Sequence, residues 1–417
     1  MIAPTEKTYY GYTKVQLLCC MVCYICFLVF GAVDTSKSVY LPLIQKFYHL
    51  EYDYQGLFVF TSSIGYITLS LFVGYLVVRL GIKITLIMGL SILIISMLGA
   101  TFFVNIWVLL GFLIIGGCGS VFIDVGSNTW GTMLFQHHKA VMMNTLHFFY
   151  GLGASIGPTY TGWASLLIDK DYRGVFISLF ILLAVGLIAV LCIPKQQSVK
   201  DDDEEGADPN FTILSALKDP AVYLLGLAQG CIAGTENITT NWSPIYFRDL
   251  YGWDVHTKGA HFVTLFFAAY SISRAVSGFL IDAIGEIKSL MLLLFSVILL
   301  YILGFCLGEK GAAVLISTGA FVAPLFPTFL TVAMLLFKRN VSKCTCVILF
   351  FYMIISQIVQ YFVGLICKHM GVQWGYRFVV VLMGMVLVDV FVLSCILKKR
   401  EKKEKNDATI EALLTEA

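Results

Sequence analysis

The chain has 417 residues, 59% of them hydrophobic and 13% charged, with a formal net charge of +2. Soluble domains carry roughly 25% charged residues, so this composition excludes a soluble fold and leaves a lipid bilayer as the solvent for most of the apolar surface. A charge so near zero gives no reason to expect a nucleic-acid partner.

Apolar runs of about 20 residues follow one another along the chain, the length an α-helix needs to cross the ~30 Å core of a bilayer. Runs 1–6 cover 15–36, 55–78, 84–103, 106–132, 139–167 and 175–193. The acidic stretch Asp201-Asp202-Asp203-Glu204-Glu205 then interrupts the pattern. Runs 7–12 cover 220–247, 259–282, 286–307, 312–337, 343–367 and 375–397. The expected fold is an all-α membrane protein with twelve transmembrane helices in two six-helix halves. Its expected parts are a first half (1–194), a linker (195–219), a second half (220–398) and a tail (399–417). Run 1 ends in the polar Asp34-Thr35-Ser36-Lys37 with no small-residue cleavage site, so it reads as a retained helix.

Most of the 28 lysines and arginines fall on segments that share a side with the N-terminus. The positive-inside rule then places both termini and the linker in the cytoplasm, with the plasma membrane as the expected location. The Cys20-x-x-Cys23-x-x-Cys26 spacing sits within an apolar run with no polar companions, and reads as packing and not as a metal site.

The two halves repeat. Gly74, Leu76 and Gly81, at the end of run 2, map onto Gly278, Leu280 and Gly285, at the end of run 8, by one offset that also takes Tyr66 to Tyr270. Such duplication is typical of transporters. A charge at a helix centre costs about 2.5–3.5 kcal/mol on insertion scales, so those retained should face a cavity or each other. They are Asp34 and Lys37 in run 1, Asp124 in run 4, Glu236 in run 7, Arg274 in run 8 and Asp389 in run 12. Asp124 shares a helix face with Asn128, and Asn144 and His147 in run 5 would face them. Glu236, Asn237, Asn241 and Trp242 in run 7 and Gln357 and Gln360 in run 11 supply further polar or aromatic surface. This set suits a hydroxyl-rich solute, with amides and carboxylates for its hydroxyls and an aromatic face for its C–H side.

The run 2 and run 8 repeats resemble the Gly-x-Leu-x-Asp-Arg-x-Gly loop of the major facilitator superfamily. The first copy keeps Arg79 but has Val78 in place of the acid. The second keeps Asp282 but has Ala283 in place of the arginine. Arg79, Asp282 and Arg274 are therefore the candidate gating charges, with neither copy carrying a full charge pair. Leu41-Pro42, Gly117–Asn128, Asn144-x-x-His147-x-x-Tyr150-Gly151, Glu236 to Pro244 and Ala323-Pro324-x-x-Pro327 together resemble the fucose permease-like branch. That resemblance implies the major facilitator fold, alternating access, a small-molecule solute, a lipid bilayer as surroundings and a monomeric carrier. It implies an acid in run 4, here Asp124, as the proton-coupling group. A second acid of the pattern is Ser38 here, with Asp34 one turn earlier as its stand-in. The expected function is proton-coupled symport of a monosaccharide, with no enzymatic activity and no cofactor beyond the coupling ion, H+ or its rival Na+. The glycine-rich helix around Gly157-Pro158 also resembles the motif of drug–proton exchangers. An organic-cation antiporter and a non-transporting nutrient receptor are thus the alternatives.

Overall fold

The structure is a computed structural model that describes residues 12–134, 139–194, 212–337 and 341–416. The acidic stretch and most of the expected linker lie outside those residues. Every element among the described residues is helical. The first part of the chain forms α1 (Lys14–Thr35), α2 (Lys37–Phe47), α3 (Tyr52–Leu80), α4 (Ile82–Phe102), α5 (Ile106–Leu134), α6 (Lys139–Ile168) and α7 (Tyr172–Leu191). A short α8 (Ile213–Ala216) precedes α9 (Pro220–Tyr251), α10 (Ala260–Ile284), α11 (Glu286–Cys306), α12 (Ala312–Val322), α13 (Leu325–Phe337), α14 (Val341–Met370) and α15 (Val372–Glu416). With α1 and α2 taken as one broken rod and α12 and α13 as another, these match the apolar runs in order. Eight spans among the described residues are long and apolar enough to cross a membrane. The other long rods are α3, α6, α9 and α10, and these carry Tyr66, Tyr150, Glu236 and Arg274.

Local chemistry sets the boundaries. Thr13 caps α1 reciprocally with Gln16, satisfying two backbone donors at its start. Asp219 caps α9, with Pro220 in the first turn where its missing N–H costs nothing. Gly81 and Gly285 end α3 and α10 at φ 79° and φ 90°, a region that side chains rarely adopt. The repeated loop seen in the sequence is thus repeated backbone geometry.

The first rod runs further than the sequence suggests. The polar cluster at 34–37 does not end it, because Thr35 and Ser36 turn their hydroxyls back onto the carbonyls of Gly31 and Ala32, at 3.0 and 2.6 Å. Lys37 closes onto Asp34 at 2.6 Å, and α2 continues to Phe47. The chain also stays helical through Pro158, which cannot bond the carbonyl of Ala154. Thr35 of α1 takes that carbonyl at 3.0 Å. Next to this bond, a Cβ at Gly157 would stand 2.6 Å from the Ala32 carbonyl oxygen, so glycine is what lets α1 and α6 meet there.

The buried apolar side chains fall into two clusters. One draws on residues 19–193 with Ala260, the other on 216–393 with Ala154. Each cluster is the core of one bundle. The bonds joining the bundles gather at one end, here called the far end because it is opposite the Leu191 and Pro220 ends of α7 and α9. Lys368 of α14 bonds Glu51 and Asp53 at 2.8 and 2.9 Å, and Tyr52 donates to Asp249 at 2.6 Å. Arg248 reaches Gln45 at 3.1 Å, Thr159 meets Thr264 at 2.7 Å, and Ser165 meets His256 at 2.8 Å. A Cβ on Gly56 would lie 2.9 Å from the Gln360 carbonyl oxygen, so α3 and α14 touch backbone to backbone there. Among the described residues, no bond ties the last two turns of α3 or α10 to the opposite bundle, and Tyr75 and Phe279 on those turns are exposed. The far-end bonds hold the molecule closed at that end.

Candidate solute-binding cavity

A cavity of about 300 Å³ lies between the bundles, lined by residues of α1, α2, α3, α4, α5, α6, α9, α10 and α14. This is at the lower end of the roughly 300–1,000 Å³ of small-molecule sites. Its polar character comes from three assemblies, each a carboxylate bonded by a tyrosine from a neighbouring helix. Asp34 accepts from Tyr150 of α6 at 2.8 Å and from Lys37 at 2.6 Å. Asp124 of α5 accepts a short bond from Tyr66 of α3 and a 2.8 Å bond from the Asn128 amide one turn on. Glu236 of α9 accepts from Tyr270 of α10 at 3.0 Å, and Arg274 donates to the same tyrosine oxygen at 2.8 Å.

Two prolines anchor the third assembly. Pro324 and Pro327 lack the N–H groups that would bond Ala320 and Ala323. Ser273 takes the carbonyl of Ala320, and the Arg274 Nε takes that of Ala323 at 3.4 Å. The break between α12 and α13 thereby fixes α10 beside it. The Arg274 guanidinium lies over the Tyr270 ring, 4.6 Å from its centroid, which orients it further.

The structure brings six of the expected residues to the cavity wall: Asp34, Asp124, His147, Asn237, Arg274 and Gln357. His147 packs its ring edge-on against Phe27 at 5.6 Å, and the Asn237 amide donates to Ser356 at 3.3 Å. Asn128 and Glu236 stand one bond behind the wall, acting through Asp124 and through Tyr270. Asn241, Trp242 and Gln360 are elsewhere. The Trp242 indole donates to Gln360 at 3.3 Å, Gln360 donates to the Gly234 carbonyl at 3.1 Å, and the Asn241 carbonyl accepts from Gln55 at 3.2 Å. Trp242 and Gln360 are completely buried, so the indole offers no face to a solute. Helix spacing put these residues on the polar stripe of α9, but the stripe is wider than the cavity and its far-end part seals α9 to α14. Arg79 is on the exposed last turn of α3, stacked on Tyr75 at 4.8 Å. The side chains of Asn144 and Asp282 lie outside those described.

The tyrosines are what the sequence reading of the site left out. Tyr66, Tyr150 and Tyr352 line the cavity, and Tyr270 stands behind it. A signal existed for two of them, since Tyr66 and Tyr270 share the offset of the repeated glycine loop.

The family described as Major Facilitator Superfamily matches residues 23–356. The chain belongs to the major facilitator superfamily. Among its relatives is "Bypass of stop codon protein 6" of Saccharomyces cerevisiae, 25% identical over 372 residues, covering 77% of this chain and 70% of that one. Another is a Helicobacter pylori protein named "Putative glucose/galactose transporter", 23% identical over 342 residues, covering 77% of this chain and 82% of that one. Of solved structures, the nucleoside transporter NupG aligns with a TM-score of 0.73 at 11% identity, covering 93% of this chain and all of that one. The transporter FucP in its outward conformation aligns with a TM-score of 0.60 at 17% identity, over 91% and 99% of the two chains. These structural likenesses establish the fold. This major facilitator protein is a multi-pass membrane carrier of the type whose neighbours include sugar and nucleoside transporters.

Proposed function

We infer that this carrier imports a monosaccharide or similarly hydroxyl-rich solute together with a proton, and that Asp124 carries the proton. The observation that supports this reading is the difference among the three carboxylates. Asp34 is held by the Lys37 ammonium and Glu236 shares Tyr270 with the Arg274 guanidinium, whereas the donors to Asp124 are a phenol and an amide. A cation beside a carboxylate favours its ionised form. Neutral donors leave protonation open to the hydration of the cavity, which changes as access alternates. The cavity wall offers hydroxyls, amides and charged groups to a polyol, and the relative named for glucose and galactose points the same way.

Transport follows from two closed ends in turn. With the linker end open, Asp124 meets water from that side and releases its proton. Separation of the far-end bonds then exposes the same cavity to the other side, where solute and proton load together. We place the termini and linker in the cytoplasm of a plasma-membrane protein, which makes the direction import. Proteoliposomes bearing the purified carrier should accumulate labelled monosaccharide under an inward proton gradient and lose it on addition of an uncoupler. Uptake indifferent to both proton and sodium gradients would reduce the reading to facilitated diffusion. The Asp124 carboxylate, whose donors are neutral, and the aromatic rings of Phe27 and Phe30 on the same wall favour an organic cation as second reading. Competition by cations and not by sugars would select it.

A further inference from the structure

Of the charges retained in the apolar runs, Asp389 of α15 has no part in the transport cavity. It is 5% exposed, and among the described residues neither of its carboxylate oxygens has a hydrogen-bond partner. It lies in the core of the second bundle, on the side toward α9. Cys231, also buried, is close enough there for the two side chains to interact electrostatically. One turn on, on the same face of α9, Thr235 is completely buried and its hydroxyl is likewise without a partner.

The helices packed against α15 are α9, α11 and α14. On α9 the titratable group facing Asp389 is Cys231, while Glu236 turns to Tyr270 of α10. α11 gives Leu290, Leu294 and Val297 to the same apolar cluster. Its Glu286 and Lys288 are in its first turn, and its Tyr301 meets Thr239 at 2.6 Å. On α14, Tyr352 lines the transport cavity, Cys344 lies beside Asp219 and Arg400, and Lys368 bonds Glu51 and Asp53 at the far end. On α15 itself Lys398, Lys399 and Arg400 follow more than two turns later, and Arg400 is held by Asp219 at 2.7 Å. Among the described residues, then, no basic side chain pairs with Asp389. An ionised carboxylate with neither a cation nor a hydrogen bond is too costly for an apolar core, and such a group takes its neutral form instead. A metal ion does not fit the place. Hard cations gather about six oxygen ligands, and α9 and α15 run unbroken here, so their carbonyls are committed. One carboxylate and the Thr235 hydroxyl fall short of that number, whereas a proton needs one oxygen.

We propose that Asp389 is a proton-binding site of the second bundle, separate from Asp124, and that the proton it holds keeps α15 packed on α9. The neutral acid is an O–H donor, with the Cys231 thiol and the Thr235 hydroxyl as the acceptors that face it. Breaking that O–H bond sends the proton to water and leaves a carboxylate that the packed core does not solvate. Discharge and separation of α15 from α9 therefore go together. The packed bundle binds the proton and the parted one releases it, so packing is favoured at low pH and loses ground as pH rises. Because α9 also carries Glu236 and Asn237, the site acts on the cavity wall from behind, at a place the solute does not visit.

The test uses the whole carrier in nanodiscs. The infrared difference between wild type and Asp389→Asn at neutral pH should contain the carbonyl band of a protonated carboxylic acid. The same band should appear when both proteins also carry Asp124→Asn, so the result stands apart from the coupling residue. Asp389→Leu supplies the reference if the asparagine variant does not fold. On alkaline titration the band should fade while the melting temperature falls by several degrees. Asp389→Leu, which fills the place with an apolar side chain, should abolish that fall and keep the neutral-pH melting temperature at or above that of the wild type. Cys231→Ala should retain the fall. A carboxylate band for Asp389 at neutral pH overturns the site. A fall that persists in Asp389→Leu, or that Cys231→Ala removes, overturns the role of this proton in packing. Stabilisation by sodium and not by potassium, lost in Asp389→Leu, assigns a metal cation and overturns the proton.

Discussion

Tyr66 and Tyr270 occupy equivalent places in the two bundles, and each donates its hydroxyl to a carboxylate on a neighbouring helix, Tyr66 to Asp124 and Tyr270 to Glu236. The duplication kept the phenol and changed what it serves. In the first bundle the assembly ends in the Asn128 amide, in the second in the Arg274 guanidinium. Tyr66→Phe should therefore alter the pH dependence of uphill uptake while solute affinity changes little. Tyr270→Phe should remove one of the contacts that orient Arg274 and weaken solute binding by about ten- to a hundredfold, the loss of a hydrogen bond to a charged group being worth about 1.5–3 kcal/mol. Uptake kinetics across pH, with solute binding measured separately, distinguish the two. Equal effects on both readouts in both variants would show that the tyrosines are mere packing.

Asp124→Asn keeps the size and hydrogen-bonding capacity of the side chain and removes its titrating proton. Net uphill uptake should be lost, while exchange of labelled for unlabelled solute should survive, because rocking no longer waits on proton release. If folded mutant protein still accumulates solute against a gradient, the coupling role passes to Asp34 or Glu236.

His256 links pH to the far-end closure. It is buried in a π-helical turn, Val255–Gly259, with its Nδ1 2.8 Å from the Ser165 hydroxyl of the other bundle. Burial holds its imidazole below the ordinary value of 6.5, against the opposing pull of Asp254 and with a smaller push from Lys46. A pKa depressed in the closed state means that closure is favoured in full above the ordinary range and loses ground as pH falls through and below about 6.5. Spin-label distances across the far end should lengthen on acidification, and His256→Gln should flatten that response.

Gly157→Val places a branched side chain where the Ala32 carbonyl oxygen is 2.6 Å from a Cβ. Forced separation of α1 from α6 should cost about 1–3 kcal/mol, the usual range for overpacking. It should also loosen the Thr35 bond that satisfies Ala154. Lower thermal stability in detergent is the expected result, and an unchanged melting temperature would show that the helices can part without cost.

The sequence by itself determined the membrane class, the order of the helical runs and the internal repeat. These depend on run length, hydropathy and glycine spacing, all of which are local in the chain. The repeated glycines Gly81 and Gly285 announced matching turns because their φ values demand that residue. It also singled out Asp34, Asp124 and Arg274, since a charge retained in an apolar helix has few places to go. Only the tertiary structure decided which polar residues share the cavity. Trp242 and Gln357 both lie on polar helical stripes, yet one is sealed between α9 and α14 and the other lines the wall, because a helix crossing covers part of a stripe and leaves the rest open. The partners of the three carboxylates were hidden for the same reason. Tyr66, Tyr150 and Tyr270 reach them from other helices, and the angle at which two helices cross is a property of their packing and not of either sequence.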